Sequence, residues 1–380
     1  MPSRSAPSPA DQQLIDHARE HGYVVSVKRL EVWRRAGLLP GNVVRSLGRG
    51  RGSGSVPREE AFVLVVALAR LARRGARPSD LALALFDEGL PVPEEAVRKA
   101  FGRAARIPGA GFAEGGPDAG TDEDEWAERV ADEVVASGHR ATLIPERARR
   151  LDRGIARHLS SKGVVWPPPE LDELDRNPEP SGLSGGEASA VAVSMVLRGG
   201  AAVTPQGVGD VLRTVQPEGW GNPVAALAEY TVEDVPAAEP VFPADGGMTT
   251  IADGDARDTL ARLAETMPLD DLRAAWAAAQ AARDWTLDLC ARAEAELEAG
   301  ELGSAVLEWL LGRTLASGLM VLNALRDRAW SPSDRALSAL LLLLMRQAFR
   351  DLDEKVPGCQ WELLESPGMA PAPLVPFLRP

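Results

Sequence analysis

Apolar positions recur at helical spacing through most of the chain, and short Gly- or Pro-rich breaks cut them into segments. Pro9–Gly22, "PADQQLIDHAREHG", places Leu14, Ile15 and Ala18 on one face and ends at Gly22, which predicts a helix. Ser26 is then a candidate N-cap for a short helix over Val27–Ala36, closed by Gly37 and Pro40. A loop, "GNVVRSLGRGRGSGSVP", runs from Gly41 to Pro57. Arg58–Gly75 carries Phe62, Val65, Val66, Ala69 and Ala72 as a helical stripe, with acids in its first turn. Ser79 and Gly89 bracket a further short helix, and Glu94–Ala105 forms another.

Beyond residue 106 the pattern stays helical. Asp122–Ser137, Pro145–Ser160, Gly186–Leu197 and Gln206–Val215 read as helices. The strongest signal spans 255–351, in four segments, the last opening on Ser331, Pro332 and Asp334. The third and fourth of these are apolar on most sides, which suits the centre of a bundle or a dimer interface.

These breaks divide the chain. Residues 1–10 are Ser/Pro/Ala-rich and expected to be disordered; 11–106 form a first domain; 107–121 are a Gly/Ala/Pro linker. A helical middle region covers 122–234, a second linker 235–254, a helical bundle for dimerisation or ligand sensing 255–356, and a tail 357–380. With 380 residues, more than one domain is required. Ala and Leu dominate while β-branched and aromatic residues are sparse, so the expected fold is mainly α. Two cysteines, Cys290 and Cys359, exclude a disulfide framework and fit a reducing compartment. The opening "MPSRSAPSPADQQL" has no apolar leader, and the longest apolar run, Ala339–Met345, is far below the roughly 20 residues of a membrane span. The chain is expected to be soluble and cytoplasmic, without contact to membrane.

Charge changes the picture. The net charge of −13 disfavours nucleic acid as a partner, but its distribution does not. Residues 1–106 hold 18 Lys/Arg against 11 Asp/Glu, and the remaining residues hold 24 against 44. Val24–Pro78 sharpens this to 12 against 3. A basic end on an otherwise acidic chain points to a nucleic-acid module.

The order helix, tight turn, short basic helix, Gly/Arg loop, apolar helix, short helix is that of a winged helix-turn-helix. At 100° per residue Val27, Leu30 and Trp33 share one face of the second helix. Lys28, Val32 and Arg35 lie opposite, with Glu31 at the edge and Arg29 and Arg34 flanking. Arg and Lys suit guanine edges or phosphate, Glu31 suits cytosine N4, and Val32 suits a thymine methyl. Arg45, Arg49 and Arg51 in the loop suit phosphate or a minor groove, and Arg58 beyond it joins the candidate set. A solvated helix face and a flexible Gly-rich linker are the plain alternatives.

The stretch "VSVKRLEVWRRAGLLPG" resembles the recognition-helix segment of the MerR family, a V-S-x-x-T-L-R-Y-Y-E-R-x-G-L-L-like string. Val25, Ser26, Leu30, Arg35, Gly37, Leu38, Leu39 and Pro40 hold the matching places. "SVPREEAFVLVVALARLARRGARPSDLALAL" resembles that family's wing end and next two helices, with Gly75, Ser79 and Asp80 at equivalent spacing. The resemblance covers about residues 12–90. Val32–Trp33 stands where family members place an aromatic pair, Val56 where they place a Tyr, and the loop is longer. The resemblance implies a homodimeric transcriptional regulator with two recognition helices in successive major grooves of double-stranded DNA. A DNA-architectural or recombination accessory role, and a protein-binding adaptor, remain alternatives.

Other chemistry is sparse. No G-x-S-x-G, P-loop, H-E-x-x-H or Rossmann glycine pattern occurs, so an enzyme is not expected and no cofactor is implied. His17 and His21 share a helix face but lack a third ligand, and with His139 and His158 they read as solvated or capping residues. Trp276, Trp285 and Trp309, with Met320 and Cys290, either line a pocket for a small-molecule effector or simply fill the core. Asp284, Asp288 and Glu308 are expected to face solvent.

Overall fold

The computed structural model of the protein describes residues 7–46, 53–72, 76–106, 126, 129, 145–164, 187, 191, 194, 205–214, 256–314, 330–355, 357–358, 364 and 370–379. Both linkers, Cys359, His139 and most of the helices expected at 122–137 and 186–197 lie outside the described residues. Among the described residues helix dominates, with two four-residue strands. The chain divides into two compact units. The first gathers Met1–Ala105, Ala261–Leu272 and Trp330–Leu340; the second gathers Arg106–Leu260, Arg273–Ala329 and Leu341–Pro380.

In the first unit the order is α1 (Pro9–Glu20), α2 (Val27–Arg35), β1 (Val43–Ser46), β2 (Ser53–Val56), α3 (Glu59–Leu71), α4 (Pro78–Asp87) and α5 (Glu94–Arg106). Ser8 caps α1, its hydroxyl accepting from the Asp11 N–H at 3.1 Å. The expected loop contains an antiparallel hairpin in which Val43 faces Val56 and Arg45 faces Gly54. Leu14, Leu30, Leu64, Leu68, Leu83 and Phe101 are fully buried, and Phe86 meets Phe101 edge-on with centroids 5.6 Å apart. At α4 the structure corrects the expected cap. Arg77 holds the cap position and Ser79 lies inside the helix, because Pro78, with its fixed φ, takes the first helical position.

Segments distant in sequence complete this unit. The Arg98 guanidinium on α5 donates to the carbonyls of Ala264, Glu265 and Met267 at 2.8–3.0 Å. It therefore satisfies the last, otherwise unpaired carbonyls of α8 (Ala256–Thr266) and places a cation at that helix's negative end. The Ser333 hydroxyl donates to Asp80 at 3.2 Å, and Arg335 pairs with Asp87 at 2.7 Å. These last two residues open α11 (Pro332–Lys355), where Ser331 and Asp334 each accept the other's backbone N–H in a capping box.

In the second unit α6 (Glu146–Ser161) packs with α9 (Leu269–Glu298) and α10 (Ser304–Thr314); α7 (Pro205–Thr214) is also described. Ala148, Leu151, Ile155 and Leu159 of α6 meet Leu289, Cys290 and Ala293 of α9 and Ala305, Val306, Trp309 and Leu310 of α10. The indole N–H of Trp309 donates to the buried Asp152 at 2.7 Å, which satisfies the two large polar groups in this core together. Gly154 lets α6 approach closely, since a Cβ there would lie 3.2 Å from Leu297. Glu296 reaches the start of α10 and accepts the N–H groups of Ala305 and Val306 at 3.1 and 2.8 Å. A Cβ at Gly303 would meet that carboxylate and require it to shift.

Candidate nucleic-acid interface

The local sequence sets α2 up as a short, sharply bounded helix. The Ser26 hydroxyl accepts the Arg29 N–H at 3.3 Å at its start. At its end Gly37 adopts φ +74°, while the N–H groups of Gly37 and Leu38 reach the carbonyls of Arg34 and Trp33 at 2.9 Å. That is a Schellman closure, which needs the left-handed conformation glycine adopts without steric cost. Leu38 and Leu39 then plunge into the core.

Burial divides the helix along the faces that periodicity predicts. Leu30 and Trp33 are buried, and Val27 is partly so. Lys28, Glu31, Val32 and Arg35 are exposed, Val32 at 45%. The flanking arginines also have partners within the fold. Arg34 pairs with Asp11 of α1 at 2.6 Å and donates to Asn42 at 3.1 Å, so it joins the two helices of the elbow. Burial acts to raise the Asp11 carboxyl, but hydrogen bonds from Arg34 and Ser8, the charge of Arg34 and a bond from Asn42 together hold it below the ordinary value. Arg29 donates to the Ala72 carbonyl at the end of α3 at 2.7 Å and lies over the Trp33 ring, 5.4 Å from its centroid. An open cleft of about 340 Å³ beside it is lined by Lys28, Arg29, Val32, Trp33, Leu38 and Leu81.

The remaining candidates are distributed as follows. Arg45 belongs to β1 by its backbone; Arg49 and Arg51 lie outside the described residues. Arg58 is exposed at the start of α3. Two features that sequence reasoning missed are Asp11, whose role depends on a partner in another helix, and the exposed valines Val24 and Val44, at 91% and 70%. In the first unit the His17 and His21 rings meet at a 52° tilt with centroids 4.4 Å apart, and His17 meets Phe62 edge-on at 5.1 Å. Among the described residues no three His, Cys, Asp or Glu side chains gather as a metal site.

The aromatic candidates of the C-terminal helices are placed as follows. Trp309 and Trp285 belong to the core of the second unit, and Trp276 is buried on α9. Met320 lies outside the described residues. Burial first of all, and then the neighbouring Glu294 and Asp152 against opposing arginines, push the Cys290 thiol up to about 12, so it stays protonated. Asp284 and Asp288 are exposed, and Glu308 pairs with Arg292 at 3.3 Å. No helix among the described residues is long and apolar enough to cross a membrane.

Comparison with protein-family models, curated proteins and solved structures gives no match.

Proposed function

We propose that this chain is a sequence-specific regulator of transcription that binds double-stranded DNA through a MerR-like winged helix-turn-helix. In this reading α1 and α2 are the helix-turn-helix, the β1–β2 hairpin is the wing, and a homodimer sets two α2 helices about one helical turn apart on a pseudo-palindrome. The observation that carries the proposal is the division of α2: its apolar side anchors Leu30 and Trp33, while Lys28, Glu31, Val32 and Arg35 form a free row. That row combines donors for guanine, an acceptor for cytosine and an apolar contact for thymine. Arg29 and Arg34 serve instead to hold α2 at its angle, and Arg49, Arg51 and Arg58 serve the backbone. The net acidity of the remaining chain limits non-specific adhesion, and the basic end supplies the base-reading contact.

Selection of bound sequences from a random duplex library, followed by gel-shift on selected and scrambled sites, tests this. Arg35→Ala should weaken binding to the selected site by tenfold or more, about 1.4 kcal/mol, and leave the scrambled site nearly unchanged. Arg49→Ala should weaken both alike. Absence of duplex binding at about 50 mM salt would end the proposal, and tight but sequence-blind bending would replace it with an architectural role.

A further inference from the structure

The second unit carries a local reversal of charge. Residues 145–164 hold six of the 24 Lys/Arg found after residue 106, but only two of the 44 Asp/Glu. One of those two acids, Asp152, is buried against Trp309 and does not act at the surface. Arg147 is bound by both its Nε and Nη2 to Glu294. What remains outside is a stripe. Arg150, Arg153 and Arg157 fall within about 60° of arc at 3.6 residues per turn, and Lys162 follows the helix end. Arg150 and Arg153 are 66% and 61% exposed. Their acidic neighbours are few: Glu146 meets Arg149 at 3.4 Å and Arg153 at 3.0 Å, and Glu294 lies 3.8 Å from Arg150.

We infer that the outer face of α6 is a second DNA contact, in which Arg150, Arg153 and Arg157 hold the sugar-phosphate backbone of a duplex without reading its sequence. This rests on the DNA-binding reading above. Three features favour that occupant. Arginine presents a planar fork suited to phosphate, and α6 uses arginine throughout. The stripe spans about 10 Å at 1.5 Å rise per residue, roughly the axial length of three phosphates on one strand. Every exposed position from Glu146 to Lys162 is polar, so the face lacks the apolar anchor of a protein interface. A membrane surface is disfavoured because the apolar side of α6, Leu151, Ile155 and Leu159, is already buried in the core.

The test compares the full chain with its Arg150→Gln/Arg153→Gln/Arg157→Gln variant on the selected duplex across a range of salt. The slope of log affinity against log salt should fall by about 3, close to 0.9 for each lost phosphate contact. The corresponding triple Arg→Lys variant should keep the slope, and both variants should melt as the parent does. An unchanged slope in the Gln variant overturns the inference and leaves the regulator reading intact. Loss of binding in the Lys variant also overturns it, since charge would then not be the cause. If the parent binds no duplex at about 50 mM salt, both readings fall. Retention on phosphatidylserine vesicles that depends on the three arginines, without their effect on DNA, assigns the stripe to a membrane and overturns the inference.

Discussion

Two helices of this protein, α2 and α6, are equally rich in arginine, and each divides its arginines between holding the fold and facing solvent. On α2 the structural members are Arg29, bound to the Ala72 carbonyl, and Arg34, bound to Asp11. On α6 the structural member is Arg147, bound to Glu294. The outward members follow the helix face opposite the core: Lys28 and Arg35 on α2, and on α6 Arg157 with Arg150 and Arg153, which lie beside Glu294 and Glu146. The two helices differ in what surrounds the outward row. On α2 it includes Glu31 and Val32, groups that would discriminate between bases in the DNA-binding reading proposed above, whereas on α6 it is almost uniformly cationic. Arginine content alone does not separate these two surfaces; the residues between the arginines do.

The comparison can be broken at its structural members first. Asp11→Ala leaves the Arg34 guanidinium, 21% exposed, without its carboxylate, and should cost about 2–3 kcal/mol in denaturant unfolding at neutral pH. The Asp11 carboxyl is held below its ordinary value in the folded state, so its contribution is complete above the ordinary carboxylate range. It is lost as pH falls through the lower folded value. The gap between parent and Asp11→Ala should therefore be full at pH 7 and narrow in acid; a gap that widens in acid would contradict the assignment. Glu294→Ala acts on a more exposed pair, 33% and 30% for its two side chains, and should cost about 1 kcal/mol by the same measurement. The smallest effect belongs to the outward rows, where the one pair involved, Arg153 with Glu146, is solvent-exposed. Arg35→Gln and Arg153→Gln should each change stability by less than about 0.5 kcal/mol, and a larger loss in thermal or denaturant unfolding would show that these side chains also hold the fold.

Much of the fold is legible in the sequence because helical periodicity is a local property. The buried and exposed faces of α2 follow from 100° stepping, and the start of α11 follows from Ser331, Pro332 and Asp334. The assignment of individual arginines is not legible. Arg34 on the flank of a wheel is equally suited to a phosphate or to Asp11, and only the crossing of α1 and α2 decides. Likewise no local signal in Arg98 announces that it will cap a helix ending at Thr266. Ser79 misleads for a local reason, since a cap-forming residue directly after a proline is displaced into the first turn. The stripe on α6 was visible in the letters but hidden by averaging, because its bases are offset by acids elsewhere in the same region.

The brace from Glu296 to the first amides of α10 has a kinetic side. A helix capped by its own sequence frays one turn at a time, and the opening of that turn is a private event. Here the protecting carboxylate belongs to the preceding helix, so protection of the Ala305 and Val306 amides depends on the Glu296 side chain and on the end of α9 that carries it. Exchange of those two protons should therefore quicken in Glu296→Ala, and unchanged exchange rates would show that the carboxylate does not protect them.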